Sequence, residues 1–239
     1  MKRYTCEFLV VGGGVGGLMA AITAGKNGVD VIVAEKADTR RSGSGANGND
    51  HYHCYIPQCH GDDIGRVRRE IGASFDAGPW VDSSMTDVWI NRSFEIIQMW
   101  ESIGIRMRPT GEYRFEGHGM PGFQLYNLKF DGKNQKPALT AEAKKQGARI
   151  LNRVVVNELL TNEEGRIIGA VGIDINEEEP ELVVFQTKAV LLATGMVSRM
   201  YPSITPAYMF NTPCCPATTG SGQAMAYRAG ARLVNMDML

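Results

Sequence analysis

Three glycines near the start of the chain have the spacing of a dinucleotide-binding loop. Gly12, Gly14 and Gly17 form G-x-G-x-x-G directly after an apolar run. In this pattern the first glycine permits a tight turn, the second lets the backbone approach a pyrophosphate, and the third lets a helix pack closely on a sheet. The N–H groups at the start of that helix would face the phosphates. We therefore predict a phosphate-binding loop that includes Val15 and Gly16 as well as the three glycines.

An acidic side chain follows where such loops recognise a ribose. Glu35 ends the next apolar run, and a carboxylate there can accept hydrogen bonds from the ribose hydroxyls of an adenine nucleotide. The same carboxylate would repel a 2′-phosphate, which disfavours NADP. Lys36 stands next to it, and we include both residues in the predicted cofactor site.

The apolar patterns predict the elements that would position these groups. A buried strand is expected over residues 4–11, a helix over 15–27 and a second buried strand over 29–34. Such a unit has parallel strands and a right-handed crossover. The alternative is a glycine-rich turn in an α/β protein that binds no nucleotide. The order of strand, glycines, helix, strand and acid disfavours that alternative.

A second motif favours FAD over NAD. Residues 150–185 are predicted to form strands joined by turns, and residues 189–193 then return to a buried strand that ends in Ala193-Thr194-Gly195. This arrangement resembles the second fingerprint of flavoproteins with two dinucleotide-binding folds. A simple NAD domain would continue with another strand–helix unit after Glu35, whereas here residues 38–62 are predicted to form a long polar loop. An NAD-binding module remains the alternative.

With these motifs in view, the chain resembles the flavoprotein subunits of the fumarate reductase and succinate dehydrogenase family, and most of all the adenylylsulfate reductase alpha-subunit branch. The resemblance rests on five segments: VVGGGVGGLMAA (10–21), Glu35-Lys36, RSGSGANG (41–48), KAVLLATG (188–195) and TGSGQAMAYRAGA (219–231). It implies an α/β fold: a Rossmann-like FAD-binding domain of the two-dinucleotide-binding-fold type, with a small antiparallel β insertion. It also implies a redox reaction on a small acid substrate, with electrons exchanged through an iron–sulfur partner.

The resemblance extends the predicted FAD site beyond the first glycine loop. The added residues belong to the serine segment, the β insertion and the turn before residue 222; they are Ser42, Gly43, Ser44, Asn47, Gly48, Val155 and Ser221. Family members with covalently bound FAD carry a histidine in the serine segment. Residues 41–48 contain none, so we expect the FAD to be bound non-covalently.

The whole chain is expected to be one FAD-binding domain that is incomplete at its C-terminus and lacks a capping domain. Residues 1–60 would hold the strand–helix–strand unit and the flavin loop, residues 61–147 a mainly helical and irregular segment, and residues 148–239 the β meander and the return to the sheet. Residues 232–239 are predicted to begin a further strand. A non-catalytic FAD-binding fragment of a longer enzyme is therefore an alternative function.

Histidines and cysteines crowd the predicted polar loop: His51, His53, Cys54, Cys59 and His60. Their spacing fits no standard zinc pattern, so no metal is predicted. The histidines could instead move protons or bind a carboxylate, and His53 is the candidate catalytic residue. A solvent-facing polar loop without a catalytic role is the alternative.

Composition excludes other classes of protein. The net charge is −1, which argues against broad nucleic-acid binding. No apolar run approaches the roughly 20 residues that a membrane span needs, and no signal peptide precedes the first strand, so we expect a cytoplasmic chain without membrane insertion. The five cysteines contain no C-x-x-C pair. They are expected to be free thiols, and any iron–sulfur cluster would belong to a partner.

Overall fold

The chain, as a computed structural model, is described over residues 1–73, 83–117, 119–197, 215, 217–234 and 236. It divides into two compact units. The first comprises Met1–Asn47 and Lys136–Leu239, and the second comprises Gly48–Gln135.

Within its described residues, the first unit contains six strands, three helices and one short 3-10 helix. Its strands are β1 (Lys2–Val11), β2 (Val31–Glu35), β5 (Arg149–Asn152), β6 (Val154–Thr161), β7 (Ile167–Asp174) and β8 (Glu181–Leu192). Its helices are α1 (Val15–Lys26), α5 (Gln135–Lys145), which begins at the last residue of the second unit, and α6 (Ser221–Arg228). The 3-10 helix spans Ser44–Asn47.

The strands form one mixed sheet in the order β5-β2-β1-β8-β7-β6. Strand β1 lies in the centre and pairs in parallel with β2 and β8, and β2 pairs in parallel with β5. Strands β6, β7 and β8 form an antiparallel meander. The fold class predicted from the sequence is confirmed, because a parallel strand–helix–strand unit carries a small antiparallel insertion.

The core of the first unit is built from the apolar runs that predicted its strands. Leu9, Ile32 and Phe185 are completely buried within a cluster that also contains Val154 and Val156. Because β1 is covered on both faces, its last residues are apolar without alternation. Burying each such side chain contributes about 1.5–3 kcal/mol.

One strand of this sheet is longer than predicted. The two separate segments expected within residues 182–193 form the single strand β8, because β1 pairs with it from Val183 to Leu192. Strand β7 pairs with β8 only as far as Gln186. The polar residues from Gln186 to Lys188 therefore mark the place where one neighbouring strand ends, and they do not mark a turn.

The part of the second unit that the structure describes contains two short strands and three helices. They are β3 (His51–His53), α2 (Pro57–His60), α3 (Ile64–Ala73), α4 (Ser83–Ser102) and β4 (Asn127–Lys129). Strands β3 and β4 pair antiparallel. Helix α4 buries Ile90, Ile97 and Trp100 along one stripe, as expected for an amphipathic helix.

The prediction of one long polar loop over residues 38–62 is wrong. The 3-10 helix, β3 and α2 all lie within it. Strand β3 has three residues and its partner β4 lies far along the chain, so no local period could reveal it.

The strand predicted over residues 232–239 is also not found in the described part. Residues 232–234 have no regular structure and pair with no strand among the described residues. Most of the remainder lies outside those residues. None of the described helices is both long and apolar enough to cross a lipid bilayer.

Candidate functional site

The glycine loop between β1 and α1 leaves its outer side open. Gly14 is the N-cap residue of α1, no side chain caps that end, and the first turn contains no acidic residue. A Cβ atom added at Gly14 or Gly16 would meet no atom within 4 Å. The first N–H groups of α1 thus lack a side-chain acceptor and have free space beside them, which suits an anionic group.

The inner side of the same loop is closely packed. Gly12 has a φ of +102°, and a Cβ atom there would lie 2.5 Å from the carbonyl oxygen of Ala193. At Gly17 an added Cβ would lie 1.9 Å from the carbonyl oxygen of Gly12. The Ala193 N–H donates to the carbonyl of Val11 at 2.8 Å. The two motifs that the sequence separates by most of its length therefore lie in contact.

Glu35 is held in a fixed orientation beneath this loop. It is 5% exposed. Its Oε2 accepts the Gly13 N–H at 2.6 Å and its Oε1 accepts the Ala37 N–H at 2.8 Å. A carboxylate can accept about four hydrogen bonds, so both oxygens keep capacity for ribose hydroxyls.

The serine segment passes beside the glycine loop. The Ser42 N–H donates to the carbonyl of Asp38 at 2.8 Å, while its buried Oγ has no hydrogen-bond partner among the described residues. A Cβ atom added at Gly43 would lie 3.6 Å from the Gly14 Cα. A buried hydroxyl of this kind calls for a partner, and a bound ligand would supply one. Ser44 and Asn47 form the ends of the 3-10 helix.

The A-T-G motif packs on the start of α6. A Cβ atom at Gly222 would lie 1.9 Å from the Oγ1 of Thr194, so only glycine fits there. The Gln223 Nε2 donates to the carbonyl of Gly195 at 2.9 Å, and the Ser221 hydroxyl lies 2.9 Å from that of Thr219. The predicted residues 193–195 and 221 thus form one turn-and-helix surface.

The remaining predicted residues are distributed differently. Lys36 is exposed and its Nζ donates to the carbonyl of Ala217. Val155 lies near the start of β6, which is tied to the segment after Glu35 because the Arg153 N–H donates to the carbonyl of Ala37 at 2.9 Å. Gly48 is the first residue of the second unit, so it is not grouped with the residues above.

A buried cation lies beside the glycine loop, and none of the sequence motifs includes it. Lys136, in the first turn of α5, donates from its Nζ to the carbonyl of Gly13. The sequence carries no local signal for this contact, which depends on the position of α5 before β5, a strand that runs parallel to β2. The start of such a helix therefore lies at the carboxyl edge of the sheet, where ligands bind in α/β folds.

His53, the candidate catalytic residue, lies in β3 of the second unit. Its ring stacks on that of Trp89 at 4.8 Å between centroids, and its carbonyl accepts the Trp89 Nε1–H at 3.1 Å. The side chain is half-buried. The other histidine of β3, His51, pairs through Nδ1 with Asp50 at 2.9 Å.

The other members of the histidine–cysteine group point to a structural role. His60 is 3% exposed, and its Nε2 donates to the carbonyl of Leu125 at 3.0 Å. Burial lowers the pKa of its imidazole. Cys54 is buried and Cys59 is exposed. Over the described ranges, no three histidine, cysteine or acidic side chains are placed to hold a metal ion.

Comparison with known proteins agrees with this geometry. A family model described as an FAD binding domain matches residues 7–49 and 76–239. One subunit of a fumarate reductase (CoM/CoB) from Methanothermobacter marburgensis is 25% identical over 100% of this chain and 42% of its own length. An L-aspartate oxidase from Nicotiana tabacum is 26% identical over 98% of this chain and 35% of its own length.

A solved structure gives the same result. The adenylylsulfate reductase of Archaeoglobus fulgidus matches 95% of this chain and 36% of its own, with 26% identity and a TM-score of 0.77. The chain thus spans less than half the length of these relatives. The resemblance noted from the sequence is confirmed, and the cofactor is FAD. Because the family model covers most of its residues, the chain belongs to the FAD binding domain family.

Proposed function

We propose that this chain is the flavin-binding part of an FAD-dependent oxidoreductase that passes a hydride or an electron pair between the flavin and a small acid substrate. The observation that carries the proposal is the packing of Gly12 against Ala193, which assembles both predicted FAD motifs into one surface. The similarity to a fumarate reductase, an L-aspartate oxidase and an adenylylsulfate reductase supports the reaction class.

The residues of the first unit have separable tasks in this proposal. Bound FAD supplies the group that accepts or donates the hydride. The N–H groups that follow Gly14 receive its phosphates, and Glu35 accepts hydrogen bonds from its ribose. The hydroxyl of Ser42 is the polar group offered by the serine segment.

We propose that the FAD is held without a covalent bond. Residues 41–48 contain no histidine that could carry the flavin. Precipitation of the flavin-loaded protein in acid tests this directly, because non-covalent FAD stays in the supernatant whereas a covalent adduct colours the pellet.

Within the second unit, we propose His53 as the residue that moves a proton or binds a substrate carboxylate. Its ring is oriented by the stack on Trp89. A histidine titrates near neutral pH and can serve either purpose. The domain organisation that goes with this proposal is a single FAD-binding domain over residues 1–239.

The substrate and the electron partner define the test. Fumarate is the first substrate that we propose and adenylylsulfate the second, because the solved adenylylsulfate reductase matches 95% of this chain. An iron–sulfur protein is the proposed electron partner, since the sequence holds no C-x-x-C set of its own. The protein, loaded with FAD, would be offered fumarate and adenylylsulfate with a reduced viologen dye as the electron donor, and L-aspartate with an oxidised dye as the electron acceptor.

Sustained dye oxidation with fumarate or adenylylsulfate, or sustained dye reduction with L-aspartate, supports the proposal and identifies the substrate. Full FAD occupancy without turnover on any of the three would favour a second candidate, an FAD-binding chain that is not catalytic by itself. The specific observation behind that candidate is the coverage of 35–42% of the length of the relatives.

A further inference from the structure

Lys136 is an unusual residue in this fold. It is 2% exposed, and among the described residues it is the only lysine or arginine that is buried. Lysine is rarely buried unless it is paired. Its ammonium donates to the carbonyl of Gly13 and makes no second hydrogen bond to the described part of the chain, although it has three donors.

The carboxylates near Lys136 do not pair with it. No acidic oxygen of the described residues lies within the 4 Å of an ion pair with its Nζ. Glu35 accepts the N–H groups of Gly13 and Ala37, and Asp38 pairs with Arg40 at 2.7 Å. Burying this ammonium without a carboxylate partner therefore costs free energy. Buried charges of this kind are typical of functional sites.

The position of the ammonium identifies what it serves. Gly13 is the residue just before Gly14, the N-cap of α1, and its N–H and its carbonyl are bound by Glu35 and Lys136 respectively. The two side chains therefore fix both polar groups of one residue in the phosphate loop. A pyrophosphate bound at this loop would bring negative charge close to the Glu35 carboxylate, and a nearby cation offsets that repulsion.

We propose that Lys136 is a positioning residue of the FAD site, which fixes the Gly13 carbonyl and balances the negative charge of the cofactor phosphates. The inference rests on FAD being the cofactor. It adds a residue that none of the sequence motifs includes, and it has a measurable consequence for how FAD affinity depends on pH.

The direction of that dependence follows from the charges around Lys136. Burial lowers the pKa of the ammonium to about 8, while Glu35 from β2 and Asp38 from the turn that follows act in the opposite direction. Bound phosphates favour the protonated amine and so raise its pKa. FAD therefore binds most tightly below about pH 8 and more weakly as the pH rises through that value, and its binding takes up a proton.

The experiment measures FAD affinity by the quenching of flavin fluorescence between about pH 6.5 and about pH 9. It compares the unaltered protein with Lys136→Arg, Lys136→Met and the control Lys144→Met, which changes an exposed lysine on the same helix. For the unaltered protein and the control, we expect the Kd to rise about fivefold between about pH 7 and about pH 9.

The two site variants should behave differently from each other. Lys136→Arg stays protonated throughout, so its Kd should not change with pH. Lys136→Met should bind FAD roughly tenfold more weakly at about pH 7, also without a pH dependence. Titration calorimetry of the unaltered protein in two buffers of different ionisation enthalpy should show proton uptake at about pH 8.5.

A pH dependence that persists in Lys136→Arg, or the absence of proton uptake by the unaltered protein, would overturn the inference. Both measurements can still be made if Lys136→Met fails to fold. Failure of the unaltered protein to bind FAD at any pH would overturn the cofactor assignment together with the inference. Normal FAD binding without the pH effect would overturn only the role proposed for Lys136.

Discussion

At the scale of single residues, the candidate site depends on how the backbone and two charged side chains hold Gly13. Glu35 accepts its N–H and Lys136 donates to its carbonyl. The carboxylate is nearly buried, and each of its oxygens accepts one backbone donor and keeps one lone pair free. In the proposed FAD site, the carboxylate is therefore already oriented before any ligand binds.

Replacing Glu35 should weaken FAD binding. Glu35→Ala removes the ribose acceptor and leaves the Gly13 N–H without its partner, so we expect a loss of about 1–3 kcal/mol in the free energy of FAD binding. Fluorescence titration measures it. The control Glu163→Ala alters an exposed residue in the turn after β6 and should bind FAD normally. An unchanged affinity in Glu35→Ala would remove this residue from the site.

Replacing His53 tests the proposed role of β3. In an active enzyme, His53→Ala should lower kcat by about 100-fold if the ring transfers a proton, while the FAD content stays normal. The matched control is His51→Ala, which changes the other histidine of β3 and breaks its contact with Asp50. Normal turnover per bound flavin in His53→Ala would show that the stack on Trp89 is a structural contact.

The sequence predicts the position of some of these residues and not of others, for a physical reason. Glu35 and the glycines lie within one short strand–helix–strand unit, so their spacing alone indicates their positions. The contact between Lys136 and Gly13 joins residues 123 positions apart. No local pattern encodes such a contact, and only the topology of α5 and β5 brings it about.

At the scale of elements, the loop between β1 and α1 must fit against the end of β8. The carbonyl of Ala193 occupies the space that a side chain on Gly12 would need. Strand β1 pairs with β8 up to Val11 and Leu192, so the two strand ends have little freedom to separate. This contact fixes the first FAD motif against the second.

A comparison of two glycines tests this packing. Both Gly12 and Gly28 have positive φ, but a Cβ atom at Gly28 would meet nothing within 4 Å. Gly28→Ala should therefore cost about 1 kcal/mol of unfolding free energy from backbone strain alone. Gly12→Ala adds a clash with Ala193 and should cost about 3 kcal/mol or more.

Urea unfolding of the flavin-free variants measures both losses. Gly12→Ala should also lose FAD binding, whereas Gly28→Ala should retain it. Equal stability losses in the two variants would show that the loop can move away from β8 without cost.

The elements were predictable where their pattern is long and local. Strand β1, helix α1 and strand β2 follow from their apolar patterns. The polar residues within β8 predict two separate strands, because the sequence does not show that β8 pairs with β1 through that segment. Strands β3 and β4 are too short to show any period.

At the scale of the whole molecule, the two units rely on different kinds of core. The first buries aliphatic strands, while the second places His60 among aromatic rings, with Tyr126 stacked at 4.7 Å and Phe115 edge-on at 4.5 Å. Burial at this place disfavours the charged imidazolium relative to the neutral imidazole.

Acid should therefore destabilise the second unit through His60. Its folded pKa lies below the ordinary value of 6.5, so the unfolded chain binds a proton first as the pH falls. Stability is present above about pH 6.5 and is lost as the pH falls from there toward the folded pKa. The melting temperature at about pH 7.5 and about pH 5.5 should differ more in the unaltered protein than in His60→Gln. His51→Gln serves as the control, and an identical pH response in all three proteins would exclude His60 as the cause.

The central claim is that the chain binds FAD, without a covalent bond, on the surface formed by residues 12–17, Glu35 and residues 193–195. The most direct measurement is the absorption spectrum of the purified protein after incubation with FAD and removal of the excess, followed by acid precipitation. We predict a flavin spectrum that corresponds to a single FAD per chain and colour that passes entirely into the supernatant. A protein that emerges colourless and instead retains NAD, or a pellet that stays yellow, would contradict the account.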